Sequence, residues 1–415
     1  MTTVVRGYKT ELDLNNEQRT LLFKHAGAAR FAYNWGLSRK IAAHKASEKV
    51  PSAIDLHREL NTLKPTEYPW MYAVSKCAMQ EALRNLDKAY ASFFHKAKLK
   101  KQGKYKGKVG FPRFKKRSKA IGSFRLTGSI KVFSDGVRLP RIGHVRLHEH
   151  DYMPTGAKIL SATISEQAGR WYVSVQVEEE QEKPTPTATS AIGVDLGIKM
   201  LATLSDGTTF ENLRALKHAQ KKLKRLERAK SRRKKGGKNR AEVRKAIAKT
   251  HARIAHIRKD AAHKLTSYLV KNHALVAIED LHVAGMLKNH CVAQAVSDSN
   301  FGEIRRQLEY KAAWAGVSVV TINRFYPSSK TCSACGYIKP ELSLGERTFI
   351  CESCGMVLDR DLNAAINLRN VAVSSIDTQN ACGVGSSGIL ETGCETSYVE
   401  AGTNQQVGMS YLSKY

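Results

Sequence analysis

Polar and apolar side chains alternate across residues 4–12 (VVRGYKTEL), which predicts a β-strand. The period then changes. Leu21, Leu22, Ala26, Ala29, Phe31, Ala32 and Trp35 follow one helical stripe, with Asn16 placed to cap it. Val74, Ala78, Ala82, Leu86, Ala89 and Phe93 form a second stripe. Short runs of strand character return between residues 121 and 177, with Asp135-Gly136 and Ala168-Gly169 as turns. These runs predict a small antiparallel β-barrel, closed by the N-terminal strand and interrupted by the helices. The acidic, then Pro/Thr-rich run EEEQEKPTPTATS (178–190) predicts an interdomain linker.

A second unit begins at Ala191 with a hairpin, AIGVDLGIKMLATLSDGTTF. Leu213, Leu216, Leu223 and Leu226 then face Val243, Ile247, Ile254 and Ile257 across a turn at Lys235-Gly236-Gly237-Lys238, predicting a helical hairpin. HALVAIEDL and VSVVTIN read as strands around the helix FGEIRRQLEYKAAWAG, and LNAAINLRNVA is the last helix. The expected fold class is multidomain, α/β plus β-barrel. The expected boundaries are 1–14 with 111–183 for the barrel and 15–110 for an inserted helical unit ending in a basic loop. Residues 184–190 form the linker. Residues 191–327 with 357–370 form the α/β unit, with its helical hairpin at 211–264. Residues 328–356 form an insert, and 371–415 a disordered tail.

Charge adds a partner to this outline. The 415 residues carry 68 Lys and Arg against 37 Asp and Glu, a net +31. Residues 96–119 hold twelve of these cations and no acid, and residues 217–259 hold nineteen against two Glu. Such concentration predicts a polyanion, because each neutralised phosphate releases counterions. The nucleic-acid candidates are Arg113, Lys115, Lys116 and Arg117 in the first run and Arg232, Arg233, Lys234 and Lys235 in the second. Lys76 and Gln80, one helical turn apart, could reach a duplex. No apolar run of 18 residues occurs and the N-terminus lacks a signal-peptide core, so a cytoplasmic protein without a membrane partner is expected.

Four of the eight cysteines form two pairs, Cys332-x-x-Cys335 and Cys351-x-x-Cys354, with fifteen residues between. Two such knuckles complete a tetrahedron of thiolates around Zn²⁺ and leave no open position, so the zinc is expected to be structural. Three acids stand where elements end or begin. Asp195 follows AIGV, Glu279 follows ALVAI, and Asp361 opens the last helix, with Asp359 a rival at that position. Carboxylates brought together repel unless cations lie between them, and hard oxygen donors suit Mg²⁺. A pair of ions roughly 3.5–4 Å apart can activate water and stabilise a leaving oxygen. Hairpin with Asp, buried strand with Glu, then Asp on a late helix is the order of an RNase H-like domain of the RuvC type.

With these motifs in place, the chain resembles the TnpB (OrfB) family of insertion-sequence proteins, which is related to type V CRISPR effectors. The matching stretches are GVDLGIKMLATLSDG, IEDLHVAGMLKN, FGEIRRQLEYKAAWAG, FYPSSKTCSACG, LGERTFICESCG and DRDLNAAINL, with GFPRFKKR and YKTELDLNNEQ upstream. Asn300-Phe301 departs from the pattern, a Trp being expected nearby. The resemblance implies that Asp195, Glu279 and Asp361 bind catalytic Mg²⁺ and that Cys332, Cys335, Cys351 and Cys354 bind zinc. It also implies a wedge barrel with a helical recognition insert, a guide RNA derived from the transposon end, and a double-stranded DNA target that the protein cuts. The alternatives are a non-catalytic DNA/RNA-binding regulator of transposition, a DNA strand transferase and an actin-like phosphotransferase. The last is disfavoured by the charge and the lack of a second phosphate hairpin. The thiolate insert and Asp361 share one short segment, so the insert is expected to shape or gate access to the acidic site.

Overall fold

The computed structural model describes residues 2–117, 122–182, 184–186, 188–343 and 345–381. Ser118 and Lys119, at the end of the first basic run, lie outside the described residues, as do Lys183 and Thr187 of the linker region. Strand β1 (Thr2–Asp13) leads into α1 (Asn16–Lys45). The cap is Asn15 rather than the expected Asn16. Its side chain accepts the Gln18 N–H, and the Gln18 side chain accepts the Asn15 N–H, a reciprocal box that fixes the helix start. α2 (Ala53–Leu63), which the periodicity did not reveal, and a 3₁₀ turn (Pro69–Ala73) precede α3 (Lys76–Lys101). Strands β2 (Ser123–Leu126), β3 (Lys131–Val132), β4 (Gly136–Leu139), β5 (Gly143–Leu147), β6 (Lys158–Gln167) and β7 (Arg170–Gln181) follow.

These strands do not close into the expected barrel. They form one sheet in the order β2-β6-β7-β1-β5-β4-β3, and the outer strands, β2 and β3, are not paired with one another. At four and two residues they are too short to complete a ring. Strand β1 is central instead, pairing with β7 from Thr2–Gln181 to Glu11–Tyr172 and then with β5 at Leu12–Leu147. One core joins this sheet to the helices: Leu22, Ala29, Leu56, Leu83 and Leu86 are buried together with Leu126, Ile164, Trp171 and Val175.

The second sheet runs β10-β9-β8-β11-β12. Its members are β8 (Ala191–Asp195), β9 (Met200–Leu204), β10 (Thr209–Glu211), β11 (Leu275–Glu279) and β12 (Ser318–Ile322). β8 to β10 are antiparallel, whereas β8, β11 and β12 are parallel. Between β10 and β11 lies the basic hairpin, α4 (Ala215–Arg232) and α5 (Lys238–Asn272), longer than the expected 211–264. Leu223, Val243, Ile247 and Ile254 close its seam, but Leu213 is exposed before α4 begins. Helices α6 (Val283–Met286), α7 (Ala293–Ser299) and α8 (Phe301–Ala315) separate β11 from β12.

Period-two alternation makes this sheet the middle of three layers. Val276 and Ile278 of β11 pack with Leu265 and Leu269 of α5 and Leu308 of α8. Leu275 and Ala277 face the other way, onto Leu368 and Ala372. Those two residues belong to the last helix, α9 (Arg360–Ala381), which follows the short pair β13 (Thr348–Ile350) and β14 (Val357–Asp359). Residues 371–381, expected as part of a tail over 371–415, therefore belong to this helix. The stripe Ala364, Leu368, Ala372 carries the helix past residue 370, and residues 382–415 lie outside the described residues.

Candidate catalytic and metal sites

Asp195 is the last residue of β8 and Glu279 the last of β11. The two strands are parallel neighbours, with Val194 paired to Ile278, so the register carries both carboxylates to the same edge of the sheet side by side. Asp361 stands in the first turn of α9, and α9 crosses β8 in direct backbone contact. A Cβ on Gly193 would lie 1.9 Å from the Ala365 carbonyl oxygen, so only glycine admits this approach. The three acids predicted from sequence thus converge where two strand ends meet a helix mouth.

Their electrostatics record the convergence. The Asp195 carboxyl is pushed up to about 7, first by burial and then by the charges of Asp361 and Glu279, with Arg360 opposing. Glu279 is also raised, by burial and by Asp280 beside it. Asp359 plays a different part. Its Oδ1 accepts the N–H groups of Asp361 at 2.9 Å and Leu362 at 3.1 Å, capping α9. That leaves Asp361 to face the site, flanked by Arg360 at 3.4 Å and Arg347 at 3.9 Å. The three carboxylates do not form as tight a cluster as the thiols described below. Half-buried, mutually repelling, oxygen-only donors are the chemistry that a hard divalent cation relieves.

Sequence reasoning missed the residues that hold Glu279 in place. Asp280 accepts from Arg305 of α8 at 2.7 Å and from Arg324 just beyond β12, and its N–H donates to the Ile322 carbonyl at 2.9 Å. Arg305 also bonds Glu309 at 3.0 Å. The signal was present in the dipeptide Glu279-Asp280, but nothing in the spacing named the arginines.

The four expected cysteines come together. Cys332 Sγ lies 3.7 Å from Cys354 Sγ, and Cys335 Sγ lies 3.6 Å from Cys351 Sγ. All four sulfurs are within 4.8 Å of one another. Zn–S bonds of about 2.3 Å in a tetrahedron put sulfurs roughly 3.8 Å apart, so the set fits a structural zinc ion. The separations are far beyond the roughly 2.05 Å of a disulfide. The knuckles are matched: Gly336 N–H donates to the Cys332 carbonyl and Gly355 N–H to the Cys351 carbonyl, both at 3.0 Å, with φ of +78° and +71°. N–H groups of Cys354 and Ser353 lower the Cys351 thiol, toward the thiolate a metal needs, while the neighbouring thiols push the Cys354 thiol up. Phe349, fully buried, fills the space behind Cys332 and Cys351.

Two buried asparagines tie this insert to α9. Asn363 Nδ2 donates to the Thr331 carbonyl at 2.7 Å, and its Oδ1 accepts the Ser333 N–H at 3.0 Å. Asn367 Nδ2 donates to the carbonyls of Ser328 at 2.8 Å and Thr331 at 2.6 Å. The first zinc knuckle therefore clasps the same helix turns that follow Asp361.

The expected nucleic-acid residues are spread over three surfaces. Lys221, Lys224, Arg225, Arg228 and Arg232 line an open groove of about 850 Å³ along α4. Lys234 and Lys235 are exposed in the hairpin turn, and Arg233 braces that turn through the Asn239 carbonyl at 2.7 Å. Arg113, Lys116 and Arg117 are exposed, whereas the Lys115 ammonium lies 4.0 Å over the Tyr33 ring and its N–H bonds Asn34. Lys76 is exposed at the start of α3, with Gln80 half-buried one turn on. Burial first, then the charge of Lys76, lowers His57, and burial, then the charges of Arg141 and Lys76, lower Lys64, so Lys76 belongs to a cationic group. Among the described residues no helix is long and apolar enough to cross a membrane.

Three family models match parts of the chain. A "Probable transposase" model covers residues 174–290, and a "Cas12f1-like, TNB domain" model covers 301–368. A "Helix-turn-helix domain" model covers 1–49, where this chain forms a strand and one continuous helix. A Streptomyces pristinaespiralis protein named "Putative RNA-guided DNA endonuclease" is 36% identical over 93% of this chain and 92% of its own length. The Escherichia coli K12 protein named "Putative RNA-guided DNA endonuclease InsQ" is 33% identical over 88% and 91%. A solved structure titled "Structure of the mini-RNA-guided endonuclease CRISPR-Cas_phi3" matches with a TM-score of 0.45 and 11% identity, over 89% of this chain and 92% of that one. With two relatives above 30% identity, each matched over at least 91% of its length, the chain belongs to the TnpB (OrfB) family.

Proposed function

We propose that this protein is an RNA-guided DNA endonuclease that hydrolyses phosphodiester bonds at Asp195, Glu279 and Asp361. The observation that carries the reading is the convergence of these three acids at adjoining parallel strand ends and the mouth of α9. The relatives' names support the substrate and the guide. The sheet order β10-β9-β8-β11-β12, with helices on both faces, supports an RNase H-like reading of residues 191–327 and 357–370, with 328–356 as a zinc-ribbon insert. Residues 1–14 and 111–183 with the helices at 15–110 are read as the wedge and recognition units.

In the reaction, Asp195, Glu279 and Asp361 would hold Mg²⁺, which when bound supplies charge neutralisation and an activated water. Asp280 with Arg305 and Arg324 keeps the Glu279 end of β11 in register, and Asp359 keeps Asp361 at the helix mouth. The cationic face of α4, the exposed loop residues and the Lys76 group would grip guide RNA and double-stranded DNA target through phosphates. RNA recovered with the purified protein is sequenced, and a duplex complementary to it is offered with Mg²⁺. Cleavage by the wild type, and none by Asp195→Asn, is expected. Binding without cleavage by either would instead support a regulator of transposition, and joined rather than cut ends a strand transferase.

A further inference from the structure

Phe325 is 86% exposed, the most exposed large hydrophobic residue among those described. Its backbone is nevertheless fixed. Its N–H donates to Asn323 Oδ1 at 2.9 Å, the Tyr326 N–H to the Asn323 carbonyl at 2.9 Å, and the Ser328 N–H to the Tyr326 carbonyl at 2.8 Å. Both flanking side chains are occupied: Arg324 pairs with Asp280, and Tyr326 packs on the Leu275, Ala277 and Leu368 core. A tight turn held on both sides therefore presents one aromatic ring to water. A disordered loop could fold such a ring away, and this one is held out.

Its address is specific. Ile322 pairs with Glu279 across β11 and β12, and Phe325 is three residues further on. Chain reach of at most about 11 Å from Ile322, added to a strand spacing of about 5 Å, puts the Phe325 backbone within about 16 Å of that of Glu279. Arg324 is anchored to Asp280, the neighbour of Glu279, so the turn stays at the acidic edge. An apolar ring in that position has no protein core to join. The substrate class proposed above offers a flat π-face at every nucleotide, whatever its sequence.

Resting on that reading, we propose that Phe325 is a stacking platform for one nucleobase of the strand being cut, beside the phosphodiester that enters the acidic site. Stacking tolerates any base, which suits a site that must cut wherever the guide directs. Base–aromatic stacking is worth about 1–3 kcal/mol, or roughly 5- to 150-fold in a rate or affinity.

The test uses the whole protein on its co-purified RNA with a complementary duplex. Phe325→Ala is expected to slow single-turnover cleavage roughly 5- to 150-fold, with Phe325→Trp near wild type and the volume-retaining Phe325→Leu resembling alanine. The melting temperature is expected to stay unchanged, since the ring buries little. Separately, 2-aminopurine is placed next to the scissile phosphate and its fluorescence read in the Asp195→Asn background, where no cutting is needed. Stacking on Phe325 quenches it, and Asp195→Asn with Phe325→Ala restores it. Unchanged cleavage in a wild type that does cut, or unchanged fluorescence between the two backgrounds, overturns the proposal. Failure of the wild type to cut overturns the nuclease reading, while the fluorescence arm still decides the stacking.

Discussion

Gly193 lies two residues before Asp195, and the carbonyl it touches belongs to Ala365, one helical turn after Asp361. A methyl group at Gly193 would sit 1.9 Å from that oxygen, 2.6 Å from the Arg369 nitrogen and 3.0 Å from the Ala365 carbonyl carbon. Real contacts essentially never fall below 3.0 Å, so α9 must move off β8 by at least 1.1 Å. The obstacle is backbone on a helix packed by Leu368 and Ala372, so no side-chain rotation relieves it. Overpacking of this kind costs about 1–3 kcal/mol. Moving a reacting group by about 1 Å costs on the order of 10²-fold in rate. Gly193→Ala should therefore lower single-turnover cleavage about a hundredfold at a temperature where it remains folded by circular dichroism. Gly7→Ala is the control: a Cβ there meets nothing within 4 Å, and cleavage should stay at wild-type level. A Gly193→Ala protein that cuts within about threefold of wild type, less than 1 kcal/mol, would refute the claim that this contact sets the separation of Asp195 and Asp361.

Without divalent metal, Asp195 carries its proton to about 7, above its unfolded value of 3.8, so the folded state binds the extra proton. That contribution is present below pH 4 and is lost as pH rises through 7; at most it amounts to about 4 kcal/mol. Thermal melts of the zinc-loaded protein without added Mg²⁺ should fall with pH over that window, and Mg²⁺ or Asp195→Asn should flatten the dependence. Asn367→Ala leaves the Ser328 carbonyl without its donor and removes one of the two on the Thr331 carbonyl, Asn363 keeping the other, a loss of about 1–3 kcal/mol. Mass spectrometry should find zinc retained while cleavage falls, separating the clasp from the metal. Asp298 accepts from the Arg258 fork at 2.9 and 3.0 Å and from the N–H groups of Leu216 and Lys217. Asp298→Ala should destabilise the α4–α5 hairpin by about 3–5 kcal/mol in chemical denaturation.

The elements that reached the surface with a clean period were legible from sequence. The stripes of α1, α3 and the α4–α5 hairpin, the buried strand β11 and the cysteine knuckles follow from spacing alone. What failed did so for a physical reason. The barrel was an inference from many short strands, but strand pairing is non-local, and nothing local records that β1 lies between β7 and β5. α2 is only eleven residues between polar stretches. The end of α9 was hidden because Ser and Thr after Val371 look like loop composition, while Ala372 is held by packing. At the acidic edge, the positions of Asp195, Glu279 and Asp361 at the ends of elements were readable and their neighbours were not: Arg305 and Arg324 meet Asp280 only because α8 and β12 fold beside β11.

The joining of thiolates and acids in one segment has a mechanical explanation. Asp361 must be fixed against its own repulsion from Asp195 and Glu279, yet it stands in the first turn of a helix, where fraying is cheapest. Asp359 supplies a cap, which secures two N–H groups but not the direction of the helix. Direction comes from Gly193 on one side and from Asn363 and Asn367 on the other, and those asparagines bond carbonyls at the edge of the first cysteine knuckle. An insert this small has little core beyond Phe349, Tyr337 and Met356 to hold that edge rigid. A zinc ion bound by four sulfurs would make it rigid, and the rigidity would pass to Asp361 through two side chains. On this account zinc removal should weaken Mg²⁺ affinity before it unfolds the protein, a sequence that Mn²⁺ binding followed by electron paramagnetic resonance during chelation can read. Mn²⁺ affinity unchanged until the moment of unfolding would mean that the clasp carries no such coupling.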